Sequence, residues 1–247
     1  MTKKTRLLSL LMRSGEFERS GDAAEAIICG HVSVDGKIAK DPKHSFKLNS
    51  VIMFKERELK LQDLTYLILN KPKGFICQKS SKEKTIYDVI NRITEIDKKT
   101  KNTLFSVGRL DKDTTGLIVI TNDGRLEKVL TRKEHGILKT YHVKTKNITT
   151  DECIERLLLG VKIKDDDAGK EFMVKALKIK RLGKKEMEIV IGEGRKRQIK
   201  KMLESLGNEV IGLKRVGIGT LRIEDLNFKD KPYIIVTCNH LKQLIGL

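Results

Sequence analysis

The chain has 247 residues, 39% hydrophobic and 34% charged, the balance of a folded, water-soluble protein rather than a disordered one. Fifty-one Lys and Arg against 33 Asp and Glu leave a formal net charge of +18, which suits a polyanionic partner, because neutralised phosphates release their counterions. No apolar run nears the roughly 18 residues of a spanning helix, so no membrane partner is expected; Leu117–Ile120 and Ile234–Val236 are strand-sized.

The first residues, MTKKTRLLSLLMRSGEFERSG, begin like a signal peptide, with basic residues before leucines. The apolar part is short, broken by Ser9, Arg13 and Ser14, and no small-residue cleavage site follows cleanly. The segment is read as a folded helix with Leu7, Leu8, Leu10 and Leu11 on its apolar face, and a cytoplasmic location is expected. Asp22 can cap a second helix carrying Ala23, Ala26 and Ile27, with Gly30 as its stop. Residues 31–38 alternate apolar and polar side chains and turn at Asp35-Gly36, a hairpin signal. Val51–Phe54 supply another strand. Residues 55–63 are almost all polar and read as a linker. This predicts a small helix-helix-strand domain over 1–60 and a larger domain over 64–247.

In the larger part, strands are predicted at Tyr66–Leu69, Phe75–Cys77, Leu117–Thr121, Tyr141–Lys144, Met187–Ile191 and Ile234–Thr237. Helices are predicted at Ile86–Ile93, Gly124–Leu130, Asp151–Leu159 and Lys196–Leu206. The fold class is therefore α/β (α+β), with a mixed sheet in the second domain. Residues 1–60 hold 12 basic and 8 acidic side chains and the remainder 39 and 25, so the second part carries a net +14. Cys29, Cys77, Cys153 and Cys238 lie far apart with no C-x-x-C pair, and reduced thiols are expected rather than a zinc site or a disulfide framework.

Three segments are candidates for chemistry. Asp111 lies in Val107–Gly116, a polar, glycine-bounded stretch directly before an apolar strand, where reactive groups are often held. Read alone, Asp and Thr before Gly make an ordinary turn. Asp111, Asp113, Thr115 and Gly116 also imitate the opening of a calcium loop, but the twelfth position is Asn122 rather than Glu. In Glu193–Met202, five of the seven residues from 195 to 201 are basic. Ile199, Met202, Leu203 and Leu206 follow at helical spacing, and Lys196 and Lys200 are four apart. A solvated helix or a phosphate-binding helix start would both look like this. Tyr141, in Lys139-Thr140-Tyr141-His142-Val143, is one of only four Tyr in a chain without Trp. That scarcity disfavours a stacking-based single-strand binder.

VGRLDKDTTGLIVITNDG, KTYHV and EGRKRQIKKMLESLGNEVIGLKRVGIGTL occur in this order. Together they resemble the RsuA/RluB family of ribosomal RNA pseudouridine synthases over roughly residues 64–240. Leu69-Asn70-Lys71-Pro72-Lys73-Gly74 resembles that family's first catalytic strand and turn. Residues 5–54 resemble the small RNA-binding domain of the ribosomal protein S-four type. Where that domain often has paired arginines, this chain has Ser20 and Gly21; Arg13, Arg19 and Lys37 are the candidates to compensate.

The resemblance implies conversion of a uridine to pseudouridine in ribosomal RNA, preferably of the large subunit with the small subunit as the alternative, or in a ribosome-assembly intermediate, without metal or cofactor; a monomer is assumed. It maps the essential acid onto Asp111, as a nucleophile at the anomeric carbon or a base at its neighbour. It maps the basic partner of that acid onto Lys200, and the aromatic that stacks on the uracil onto Tyr141. Arg109 would fill the gap left by the flipped base, Leu213 would form the apolar wall beneath it, and Lys196, Arg197 and Arg215 would hold phosphates. Two other readings remain: a non-catalytic RNA-binding assembly factor, and a metal-dependent nuclease using Asp111 and Asp113. The acidic run Asp165-Asp166-Asp167 reads as a solvated loop leading into Gly169.

Overall fold

The computed structural model describes residues 4–164 and 169–247; the run Asp165–Asp167 lies outside them. In chain order the elements are β1 (Lys4–Arg6), α1 (Leu7–Ser14), α2 (Ser20–Ile28), β2 (Val32–Val34), β3 (Lys37–Ile38), β4 (Ser45–Lys47), β5 (Ile52–Phe54) and β6 (Arg57–Glu58). They continue with β7 (Tyr66–Lys71), α3 (Ile86–Asn91), α4 (Lys98–Thr103), β8 (Phe105–Ser106), β9 (Thr115–Thr121), α5 (Gly124–Thr131) and β10 (Lys139–Thr145). Then follow α6 (Asp151–Leu159), β11 (Val161–Lys164), β12 (Glu171–Val174), β13 (Lys178–Gly183), β14 (Glu186–Ile191) and α7 (Gln198–Glu204). The chain ends with β15 (Val210–Ile218), β16 (Leu221–Arg222), β17 (Tyr233–Val236) and α8 (Cys238–Ile245).

Two compact units form. The first holds the chain through Thr65 together with residues 87–105 and 120–124. Its core is Leu7, Leu10 and Leu11 of α1 with Ala23 and Ile27 of α2, packed on Val32, Val34 and Ile52 of the small sheet. The predicted hairpin is present: β2 pairs antiparallel with β3, and Asp35 and Gly36 both take positive φ, 50° and 80°, as the favoured two-residue turn requires. Asp22 sits within the first turn of α2, which starts at Ser20, rather than capping it. Residues 55–63 are not a free linker. Lys55 and Glu56 turn β5 into β6, and Leu59 is buried in the core. Gln62 is bonded to Arg13, Ser14 and Thr100. The amide of Asn122 is likewise engaged within this unit, with Asp63, Thr65 and Thr103, so the calcium pattern has no ligand at its twelfth position.

The second unit is built on a mixed sheet with the order β13-β14-β10-β15-β9-β7-β17, to which β16 adds on β15 and β8 on β9. β15 runs parallel to β9 and antiparallel to β10. β7 and β9 are apolar almost throughout and buried along most of their length, as interior strands covered on both faces are. β14 alternates Met187, Ile189 and Ile191 inward with half-buried residues outward, the period of a strand with one face toward the core. Phe75–Cys77 forms no strand, only an isolated bridge from Ile76 to Thr85. α7 is shorter than predicted: it begins at Gln198, after Arg197 at φ 54°, and Lys196 lies before it, so Lys196 and Lys200 do not share a helical face.

Gly116 explains how β9 and β15 meet. Its φ is 102°, and a Cβ there would fall 2.1 Å from the Arg215 carbonyl oxygen. Only glycine permits that approach, and it occurs directly after the turn that carries Asp111.

Candidate active site

The Asp111 carbonyl accepts the Thr114 N–H at 3.0 Å, closing a tight turn. Contacts from the segment after β7 hold that turn in place. Gly74 N–H donates to the Lys112 carbonyl at 2.8 Å. The Lys71 ammonium donates to the Thr114 carbonyl at 2.7 Å and reaches the Pro72 and Lys112 carbonyls at 3.2 and 3.4 Å. The Cys77 sulfur accepts the Leu110 N–H at 3.3 Å, and its thiol donates to the Leu110 carbonyl at 3.4 Å. The residues on either side of Asp111 are therefore fixed by neighbours of known chemistry.

Lys71 is fully buried, with 0% of its surface exposed. Burial lowers its pKa from the ordinary value of 10.5, with Cys77, Asp113 and Asp111 acting in the opposite direction. Burial also pushes the Cys77 thiol up, against the bond to Leu110 and the neighbouring cations, which keeps it protonated and able to donate.

From α7, Lys200 enters the same turn. It is 4% exposed, and its Nζ donates to both Asp113 oxygens at 2.5 and 2.6 Å. The Asp111 Oδ2 is 3.6 Å away. Burial would raise the Asp113 pKa, but the Lys200 hydrogen bond and charge outweigh it and hold the carboxyl below its ordinary 3.8. Sequence reasoning paired Lys200 with Asp111; the tighter partner is Asp113, and Lys200 bridges the two.

Beside the turn lies a cavity of about 390 Å³. It gathers Asp111, Arg109, Tyr141, Leu213, Lys196 and Arg197, all expected from the sequence, along with Cys77. Tyr141 comes from β10, which is paired with β15, the strand that supplies Leu213. Tyr141 is 8% exposed, so its bulk forms wall rather than surface. Arg109, Lys196 and Arg197 are exposed and lend the mouth a positive potential suited to a phosphodiester backbone.

Arg215 is placed differently from expectation. It is buried, and its Nε donates to the Leu117 carbonyl at 2.6 Å, stitching β15 to β9 rather than lining the cavity. Arg13, Arg19 and Lys37 belong to the first unit. There Arg13 Nε donates to the Gln62 carbonyl at 2.9 Å, while Arg19 and Lys37 are exposed. Two participants escaped the sequence reading. The sequence marks Lys71 only as part of the Leu69–Gly74 segment and Asp113 only as a possible metal ligand. Among the described residues, no three His, Cys, Asp or Glu side chains gather as a metal would require.

A carboxylate at a cavity wall, next to an aromatic ring and an ammonium, can attack an electrophilic carbon or remove a proton. Comparison with known proteins narrows the chemistry. Residues 65–205, more than half of the chain, match the family of RNA pseudouridylate synthases. The ribosomal large subunit pseudouridine synthase B of Bacillus subtilis (strain 168) is 31% identical, over 98% of this chain and 96% of its own. The ribosomal small subunit pseudouridine synthase A of Vibrio cholerae (serotype O1, strain El Tor Inaba N16961) is 29% identical, over 83% of this chain and 84% of its own. A crystal structure of a pseudouridylate synthase superimposes with a TM-score of 0.65 at 29% identity, covering 97% of this chain and 99% of that one. The motif around Asp111, the cavity beside it and these similarities converge: the chain belongs to the RNA pseudouridylate synthase family and is an RNA pseudouridine synthase.

Proposed function

We propose that the enzyme isomerises one uridine of large-subunit ribosomal RNA, with Asp111 as its essential acid. The observation that carries this reading is the Asp111 carboxylate on the cavity wall it shares with Tyr141, 3.6 Å from a buried ammonium. In the reaction the bond from the sugar C1′ to N1 of the base breaks, the base turns, and C1′ bonds to C5. The C5 proton leaves and N1 gains one, so atoms and electrons balance without a redox partner. Asp111 acts on the sugar, at C1′ as nucleophile or at C2′ as base, with Lys200 beside it as its basic partner. Tyr141 stacks on the uracil over Leu213, and Arg109 occupies the place the base has left. A stacked nucleotide would shield the reacting atoms, which is why the base must flip. Lys196 and Arg197 hold phosphates, and the first unit acts as an S-four type RNA-binding domain through Arg13, Arg19 and Lys37.

The large-subunit target is supported by similarity to the Bacillus subtilis enzyme across nearly the whole of both chains. A small-subunit target is the second reading, favoured by the similarity to the Vibrio cholerae enzyme. Chemical mapping of pseudouridine in both ribosomal RNAs from a strain lacking the gene separates them. One uridine of the large-subunit RNA should lose its modification, and regain it when the parent but not Asp111→Asn is supplied. Loss in the small-subunit RNA would establish the second reading. Full retention of every pseudouridine would favour a binding role in ribosome assembly. Activity should withstand EDTA, which a metal-dependent nuclease would not.

A further inference from the structure

Three buried side-chain polar atoms among the described residues have no hydrogen-bond partner: Thr114 Oγ1, Arg195 Nε and Gln198 Nε2. All three residues line the cavity beside Asp111. Buried polar groups are nearly always paired, so three bare ones on residues of a single cavity call for an explanation, and a bound ligand is one source of partners.

Gln198 is the most constrained of the three. It is 3% exposed, and its Oε1 accepts the Arg195 N–H at 2.9 Å. An N–H can only donate, so the oxygen end of the amide is committed and the bare end is the NH₂ group. The turn that holds it is closed a second time by Gln198 N–H to the Arg195 carbonyl at 3.1 Å. The Arg195 guanidinium lies over the Phe172 ring, 3.8 Å from its centroid, and its Nε is 3.8 Å from Glu193 Oε2, beyond hydrogen-bond reach. The free end of the amide can thus only donate.

We propose that Gln198 is a substrate-binding residue whose Nε2 donates a hydrogen bond to a carbonyl oxygen of the flipped base. This rests on the uridine-flipping reading above. Uracil presents two carbonyl acceptors, O2 and O4. Cytosine replaces the second with an amino group, so a fixed donor there would meet a donor. A neutral amide in a buried position suits a neutral carbonyl; the exposed Lys196 and Arg197 are the better match for charged phosphates, which lose more hydration on burial.

Gln198→Glu tests this, because the carboxylate still accepts the Arg195 N–H while the free donor end becomes an acceptor. Gln198→Met, which lacks both, is the second variant should the first fail to fold. The probes are unmodified large- and small-subunit ribosomal RNA transcripts made with uridine, 2-thiouridine or 4-thiouridine. The isomerised nucleoside is separated by chromatography after nuclease digestion. Folded variants should lose roughly 10- to 100-fold in kcat/KM on the uridine transcript, the loss expected when one partner of a buried hydrogen bond is removed. In the parent, sulfur at one of the two positions should slow the reaction, since it accepts hydrogen bonds poorly. In the variants that sulfur penalty should vanish, and the position at which it vanishes identifies the oxygen read. A penalty unchanged in both variants at both positions, or none in an active parent, would overturn the inference alone. A parent inactive on both uridine transcripts would overturn the underlying function and the inference with it.

Discussion

Lys200 Nζ lies 2.5 and 2.6 Å from the two oxygens of Asp113 and 3.6 Å from Asp111 Oδ2, so one buried ammonium serves two carboxylates of a single turn. The folded-state pKa of Asp113 is depressed below 3.8. A group depressed by folding contributes stability that is complete above its unfolded pKa and is lost as pH falls through the folded value. The stability difference between the parent and Asp113→Asn should therefore be full at neutral pH and shrink once the pH drops below 3.8. Urea denaturation of both proteins at neutral and at acid pH measures it. A difference that grows in acid would show that Asp113 is not held by Lys200 in solution.

Asp111 is half-buried, and its side chain is one-third exposed, so Asn can replace it without a large packing change. Asp111→Asn should abolish pseudouridine formation while RNA affinity stays within about several-fold of the parent, because phosphate contacts dominate binding. Filter binding and nucleoside analysis on the same preparation check both halves. Retained turnover would remove Asp111 from the chemistry.

The local signals in the sequence were the dependable ones. The Asp35-Gly36 hairpin, the apolar β7 and β9 and the loop around Asp111 follow from periodicity and turn chemistry within a few residues, and all are present. The contacts that organise the site are not local. Lys200 reaches Asp113 across 87 positions, and Lys71 reaches Thr114 across 43. A lysine that turns inward has the same letter as one that faces water, so neither pairing could be read from charge or spacing. Arg215 shows the converse: in a basic stretch it looks like a surface cation, yet pairing of β15 with β9 buries it. The joining of residues 87–105 to the first unit is a tertiary event of the same kind. α8 left a signal that went unused, since Thr237 caps it through the His240 N–H and Leu241 and Ile245 lie four apart on its buried face.

Gly116→Ala should be among the most damaging single-methyl changes in the chain. The added carbon would lie 2.1 Å from the Arg215 carbonyl oxygen, at a φ of 102° that alanine disfavours. Strain of this kind costs about 1–3 kcal/mol before the clash with backbone is counted, and relief would require β9 and β15 to part. Gly124→Ala is the control, since no atom lies within 4 Å of a Cβ there. Chemical denaturation should show a large loss for the first and little change for the second. Equal effects would contradict the close strand approach.

RNA binding should weaken steeply with salt. The part of the chain after residue 60 carries a net +14, and Arg109, Lys196 and Arg197 line the cavity. Each phosphate neutralised contributes about −0.7 to −0.9 to the slope of log K against log salt. Lys196→Ala should reduce the slope by about one such contact, leaving turnover at saturating RNA near the parent's. An unchanged slope would place Lys196 away from the backbone path.

Lys71 offers a test of how the Asp111 turn is held. Its buried ammonium costs desolvation, and burial depresses its pKa from 10.5, so between the folded and unfolded values the unfolded chain binds more protons. The sign of the linkage then makes this group's contribution rise as pH climbs through the depressed value toward 10.5. Lys71→Met keeps most of the side-chain volume and removes both the charge and the donor. It should flatten that alkaline rise in stability. It should also leave the Thr114 carbonyl without its 2.7 Å partner, loosening the turn that presents Asp111. The expected result is a fall in kcat with KM for RNA little changed, since no phosphate contact is lost. A variant whose kcat matches the parent's would show that Gly74 and Cys77 hold the turn without Lys71, and a rise in KM alone would assign Lys71 to binding.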